Sequence, residues 1–218
     1  MDLEPNKKPK RQPLSSTRIV AAALAIADKH GLDGFSFRIL ANALNCEAMS
    51  LYHYFPSKAH LLDAMVDVCL AELHFPDESL NWQDRMRLSL ASYRAMALRH
   101  AGFFPFISVY RMNSMSGLTF LNNILKIFEA SGLPLEARAR HFRVLGYYLV
   151  GAGLDETIGY ANGPSAAVPV TDEVAMRDFP AIISVGRYFG KEHHAATFAL
   201  GLETLIAQIE RDVAKGSA

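Results

Sequence analysis

A helix that stops and restarts within two residues constrains this chain more than any other feature. The stretch reads Ser36-Phe-Arg-Ile-Leu-Ala-Asn-Ala-Leu-Asn-Cys-Glu-Ala-Met-Ser-Leu-Tyr-His-Tyr-Phe-Pro-Ser-Lys58. Ile39, Leu40, Ala43 and Leu44 fall at helical spacing and predict one apolar face. Ser36 is suited to cap that helix, because its hydroxyl accepts from an orphan N–H of the first turn. Asn45 is suited to end it, since Asn tolerates the left-handed conformation. A second helix is expected from about Glu47 to Tyr54. Leu51 and Phe55 turn back to the core, whereas Ala48, Met49, Ser50 and His53 point elsewhere. Pro56 ends this helix, and Ser57 caps the next, with Lys58 in its first turn.

Two short helices, a tight turn and an exposed second helix make a helix-turn-helix. The small residues that open the second helix let its N-terminus descend into a DNA major groove, which is about 12 Å wide. Arg38, Tyr52 and Lys58 flank it with two cations and a hydroxyl, groups that suit phosphate oxygens. The other reading of the same pattern is a helical hairpin in an ordinary all-α domain.

Leu40-Ala41-Asn42-Ala43-Leu44 followed by Leu51-Tyr52-His53-Tyr54-Phe55-Pro56-Ser57-Lys58 resembles the N-terminal signature of the tetracycline-repressor family of bacterial regulators. The family pattern is Leu-Ala, then Leu-Gly-Val, then Leu-Tyr-x-His-Phe, then Lys. The chain departs from it at Asn45 and Cys46, where Gly and Val are common, and at Tyr54, where His is frequent. These changes keep a turn-compatible backbone and the core face. The resemblance implies a DNA-contacting set of Arg38, Ala48, Met49, Ser50, Tyr52, His53 and Lys58.

Charge is distributed accordingly. The 218 residues carry no formal net charge. From Lys7 to Lys58, however, eight cations (Lys7, Lys8, Lys10, Arg11, Arg18, Lys29, Arg38, Lys58) face three anions (Asp28, Asp33, Glu47). That local +5 is balanced by −5 over the rest, which fits nucleic-acid contact confined to one end. Half the residues are hydrophobic, enough for a sizeable core. Cys46 and Cys69 lack metal-ligand spacing and read as free thiols of a reducing bacterial cytoplasm. The start has no apolar signal region, and no apolar run reaches the ~18 residues of a membrane span.

Along the chain, residues 1–14 are polar and Pro-rich and read as a disordered arm. It is either a solvated tail or a basic arm lying on phosphates or in the minor groove. Ser15 or Ser16 caps a helix from about Thr17 to His30, with Ile19, Ala22, Ala23, Ile26 and Ala27 inward. Gly31 stops it, Asp33-Gly34 is a turn, and Phe35 or Phe37 closes the head. The segmentation is an arm (1–14), a helix-turn-helix head (15–58), a connecting helix (59–75) and a body (76–218). In the body, helices are expected over Trp82–His100, Leu118–Ala130, Pro134–Tyr160 and His193–Ala214, with a short one near Ala181–Tyr188. Gly102–Ser116 reads as irregular and aromatic, and Asn162–Pro180 as a loop. No strand alternation appears, so the class is all-α.

The body also resembles that family, at Asn81-Trp82-Gln83-Asp84, from Gly146 to Glu156, and from Phe198 to Glu210. This implies a homodimer through a four-helix bundle built from roughly 137–160 and 193–213 of each subunit. Gly146, Gly151, Ala152, Gly153, Ala196, Ala199 and Gly201 are small enough for close helix approach; packing within the chain is the alternative. The resemblance places a ligand pocket among His74, Ser89, Tyr93, Phe104, Phe106, Asn123, Tyr147 and Asp155. The repressor that names the family binds a magnesium–drug chelate. His74 and Tyr93 fall where it has a His and a Phe touching the drug. Its magnesium-holding His falls at Phe106, which cannot ligate a metal, and a drug-gripping Gln falls near Ile124. Asp155 stands in for an outer-shell acid. The expected effector is therefore small and largely apolar, with no metal and no cofactor.

The function so implied is a ligand-responsive repressor. It binds a near-palindromic double-stranded operator as a homodimer, does so in the cytoplasm, and has no membrane association. An activator, or a regulator needing no ligand, would use the same residues. An enzyme would need a catalytic motif, and none of HExxH, P-loop, GxSxG or CxxC occurs. The adjacent His193 and His194 cannot share one helical face.

Overall fold

The computed structural model describes residues 13–159 and 166–216 and contains no β-strand among them. The basic arm falls almost wholly outside these residues, as does the start of the 162–180 segment.

Three helices form the head: α1 (Ser16–His30), α2 (Phe37–Leu44) and α3 (Ala48–Tyr52). Each begins or ends on a residue with a physical reason to be there. Ser15 caps α1 by accepting from Arg18 N, and Ser36 caps α2 by accepting from Ile39 N. Asn45 ends α2 at φ 57°, ψ 46°, and it is the one non-Gly residue with positive φ among those described. The left-handed residue reverses the chain, and α3 starts three residues later. α1 packs on α2, and α2 packs on α3. Their core joins Ile19, Ala23, Leu24, Phe35, Leu40 and Leu51, with Phe55 closing it.

The buried face of α2 is Phe37, Leu40, Ala41 and Leu44, not the expected Ile39, Leu40, Ala43 and Leu44. Both sets have helical spacing. Phe37 decides between them: its ring lies 4.7 Å from that of Tyr52, which rotates Ile39 into solvent.

α4 (Lys58–Ala71) leaves the head, packs on α1, and runs along α7 of the body. It ends four residues short of the expected 59–75 span, and an extended linker carries the chain to α5. The body comprises α5 (Trp82–Arg99), α6 (Phe104–Val109), α7 (Met115–Ala130), α8 (Leu135–Thr157), α9 (Asp172–Asp178), α10 (Pro180–Gly186) and α11 (His194–Gly216). Here α5, α6, α7 and α11 all pack on α8.

Two stretches expected to be irregular contain helix. Within Gly102–Ser116, Phe104–Val109 form a short helix whose Phe104 and Ile107 are buried. Within 162–180, Thr171 caps α9 by accepting from Val174 N, and Asp172 and Glu173 sit favourably at its N-terminus. α9 buries no side chain, so the sequence offers it no apolar periodicity, and α10, which also buries none, falls close to the short helix expected near Ala181–Tyr188.

Ion pairs fasten the outer helices. Arg87 grips Glu203 with Nε and Nη2, both at 2.7 Å, and Arg94 holds Glu156 at 2.7 Å. Two of the small residues expected at a dimer seam serve inside the protomer. A Cβ on Gly153 would lie 2.4 Å from the Phe104 ring, and one on Gly201 would lie 2.5 Å from the Tyr148 ring. Gly146 and Gly151 face open space instead.

Candidate functional site

The head presents one side of α3 outward. Leu51 is fully buried and anchors the helix, whereas Met49 is 71% exposed, His53 is exposed, and Ala48 and Ser50 are half-buried. A five-residue helix thus shows its first turn to solvent, flanked by exposed Arg38, Tyr52 and Lys58. All seven residues of the expected contact set lie on the helix-turn-helix or directly after it.

Their supports are specific. Tyr52 is held by the Phe37 ring with its edge in solvent. Tyr54, where the family pattern has His, donates its hydroxyl to the Leu14 carbonyl at 2.9 Å and ties the end of α3 to the segment entering α1. Ser57 caps α4 by accepting from His60 N. The Lys58 ammonium donates to the Phe35 carbonyl at 3.0 Å and lies 5.4 Å from the Phe35 ring centre. Lys58 therefore braces the head as well as presenting a charge.

The head meets the body at His100, the residue that ends α5. The residue is 7% exposed, with its imidazole Nδ1 2.8 Å from Asp28 Oδ2 of α1 and Nε2 3.1 Å from Glu72 Oε1 at the end of α4. Arg99 pairs with the same Glu72. The Asp28 carboxylate is the chief cause that pushes the His100 pKa up to about 11, with the Cys69 thiol and Glu72 adding to it and burial opposing. Beside this clasp, Gly102 sits against the end of α1, where a Cβ would come within 2.2 Å of the Ala27 carbonyl oxygen. A cleft of about 500 Å³ opens here, lined by Asp28, Lys29, Asp33, Pro105 and Phe106 among others.

The eight expected pocket residues do not converge on one cavity. Ser89 and Tyr93 lie one turn apart on the inner face of α5. Tyr93 stacks on Phe120 and meets Phe104 edge-on, each at 6.0 Å. Asn123 lines a small cleft nearby, between the α4–α5 linker and α7. Those four share one region.

The other four are elsewhere. His74 lies exposed in the linker, its backbone N–H held by Ser92 Oγ at 2.8 Å, because α4 stops before it. Phe106 borders the head–body cleft. Tyr147 is 68% exposed, because Tyr148, one helical step round, takes the inward position and donates its hydroxyl to the Phe198 carbonyl. Asp155 borders a cleft of about 260 Å³ between α8 and α11. No group of three metal-capable side chains forms among the described residues, and none of the described helices is long and apolar enough to cross a membrane.

Sequence reading missed Arg85 and His100. Arg85 is 8% exposed and lines the same cleft as Asn123. Both are polar side chains at buried helical positions, which is the signal that could have marked them.

An exposed reading helix, a connecting helix and a helical body define a class of two-part regulators, and comparison with known proteins agrees. Residues 19–65 match the family described as bacterial regulatory proteins, tetR family, and residues 75–213 match the tetracyclin repressor-like C-terminal domain. The chain belongs to the TetR family of DNA-binding transcriptional regulators, whose members are not enzymes. It is 26% identical to the class G tetracycline repressor protein of Vibrio anguillarum, over 91% of this chain and 94% of that protein. It is 28% identical to the HTH-type transcriptional repressor DrrR1 of Streptomyces coeruleorubidus, over 93% and 83%. Among solved structures, ActR of Streptomyces coelicolor in complex with actinorhodin superimposes with a TM-score of 0.71 at 25% identity, covering 93% of this chain and 99% of that one.

Proposed function

We propose that the chain is a homodimeric repressor that binds a near-palindromic operator and is released by a small, largely apolar effector bound in the body. The observation that carries this reading is the outward face of α3, with Met49 exposed, Ser50 half-buried and His53 exposed just past its end, on a helix anchored by fully buried Leu51. Met49, Ser50, Ala48 and His53 read base edges, while Arg38, Tyr52 and Lys58 hold phosphates.

Dimerisation is supported by apolar surface left uncovered in the protomer. On α8, Val144, Tyr147 and Gly151 are exposed along one side, and on α11 Ala196, Ala199 and Leu200 are exposed. α10 and the residue before it add exposed Phe179, Ile182 and Ile183. Exposed apolar side chains on these helices suit an interaction surface, and a two-fold partner sets two α3 helices to read one operator.

For the effector, the region beside Ser89, Tyr93, Phe104 and Asn123 is the candidate pocket. The actinorhodin complex of ActR and the tetracycline repressors' names supply the precedent of a small molecule acting on this fold. A ligand there moves the heads only through its differential affinity for the two states. The protein works in the bacterial cytoplasm, at its operator.

The test is binding of purified protein to the DNA flanking its own gene at two salt concentrations. Two chains per site and a steep inverse dependence on salt support the reading. Absence of binding at low salt, both there and to sites selected from random DNA, refutes it.

A further inference from the structure

We infer that the cleft between the α4–α5 linker and α7 is a carboxylate-binding subsite, with Arg85 as the principal cation. The inference rests on the reading of the body as an effector-binding domain, and it names the effector's chemical class: an organic acid with an apolar body.

Arg85 occupies a position on α5 that the helix buries. It shares the inner stripe with Met86, Ser89, Leu90 and Tyr93, and only 8% of it is exposed. A guanidinium in such a place needs acceptors, since an uncompensated buried charge is strongly destabilising. Arg85 is poorly supplied. Its Nε is buried without a hydrogen-bond partner. Its ion-pair partner Glu78 stands at 3.8 Å, beyond hydrogen-bond length, and the Glu78 side chain is 74% exposed. One turn along the same face, Ser89 Oγ is also buried and unpartnered. Two orphan polar atoms on one helical face mark a place where something from outside completes the hydrogen bonding.

The cleft supplies the rest. It has a volume of about 90 Å³ and is lined by Arg85, Asn123, Lys126 and Glu78 with Phe75 and Ile127. Of the lining side chains Arg85 and Lys126 are cations and Glu78 is an anion, with Asp77 also near Arg85. A planar guanidinium matches a carboxylate in two parallel N–H···O bonds, and Asn123 offers an amide N–H beside it. An apolar wall leads away from the charge. Phe75 lies 6.1 Å from Phe120, Phe120 lies 6.0 Å from Tyr93, and Tyr93 lies 6.0 Å from Phe104. Acid recognition at one end and an aromatic run from it describe the complement of an amphipathic carboxylic acid.

The experiment uses the full-length protein, with sodium butyrate as probe and butyramide, its neutral counterpart, as control, at matched ionic strength. Butyrate should raise the unfolding temperature of the wild type saturably, and butyramide should not. Arg85→Met should weaken butyrate at least about tenfold, the equivalent of one charge-assisted hydrogen bond; Arg85→Lys should restore part of it. Without ligand, Arg85→Met should unfold at or above the wild-type temperature, because it removes an under-compensated buried charge. Equal responses to butyrate and butyramide, no response to butyrate, or a response unchanged in Arg85→Met each overturn the subsite. So does a large loss of stability shared by Arg85→Met and Glu78→Gln, which would make Arg85 half of a structural ion pair. Butyrate binding that leaves operator affinity unchanged upholds the subsite and removes the effector reading instead.

Discussion

Replacing His100 with Gln tests whether the joint between head and body is held by charge. The imidazole lies between Asp28 and Glu72 at 2.8 and 3.1 Å, with Cys69 beside it and Arg99 on the far side of Glu72. Glutamine keeps bulk and hydrogen-bonding capacity but removes the titrating cation. Breaking a buried pair by removing one partner costs about 3–5 kcal/mol. Because Arg99 still serves Glu72, a loss of about 3 kcal/mol at pH 6 is expected. For a chain of this size that is roughly 6–12 °C in unfolding temperature.

The sign of the pH dependence follows from the raised pKa. The folded state keeps a proton on His100 up to about pH 11, while the unfolded chain releases it near its ordinary value, about 6.5. The clasp therefore contributes fully below about pH 6.5 and its contribution is lost as pH rises toward 11. Between pH 7 and 9 the wild type should lose stability through this group, and His100→Gln should not. Urea unfolding of both proteins at one fixed protein concentration, at pH 6, 7.5 and 9, is the assay. A gap between them that closes toward pH 9 fits the charged clasp. A gap that stays constant or widens refutes it.

Other consequences are simpler to test. Tyr52→Phe should weaken binding to every operator-like sequence alike in a fluorescence-anisotropy titration, and Lys58→Ala should also lower the salt slope by about one. Because Lys58 donates to the Phe35 carbonyl, Lys58→Ala should in addition cost the head about 1 kcal/mol in urea unfolding. Substituting Met49 or Ser50 should instead change which bases are preferred when binding sites are selected from random DNA. Asn45→Val should destabilise the head by about 1–2 kcal/mol, because a β-branched residue resists φ 57°. Gly102→Ala places a methyl group against the Ala27 and Asp28 carbonyls of α1, so it should shift the head relative to the body and lower operator affinity while the far-ultraviolet spectrum stays helical.

The head was legible because its signals are local. Ser36, Asn45, Pro56 and Ser57 act on the backbone within a turn of themselves, and each sits where the structure uses it for a cap, a left-handed residue or a stop. The α2 face was harder, since Ile39 and Phe37 both satisfy helical spacing and only the Tyr52 ring chooses between them. α10 lies within a residue or two of the short helix expected near Ala181–Tyr188, whereas α9 reads as loop because it buries nothing and Pro169 precedes it. The pocket was least legible because it depends on which of two neighbours faces inward. Tyr148 does, and Tyr147 does not. Arg85 was overlooked for a related reason. A charged residue on an apolar stripe reads as surface until Met86, Leu90 and Tyr93 are seen buried on either side of it.

The most direct test of the account is to select binding sites from random DNA with the intact protein and to measure how many chains occupy each one. A dimer reading with two α3 helices should enrich two inverted half-sites whose centres lie about one helical turn, 34–36 Å, or a multiple of it apart, with two chains bound. Enrichment of a single half-site by one chain, or no enrichment over bulk DNA, would contradict it.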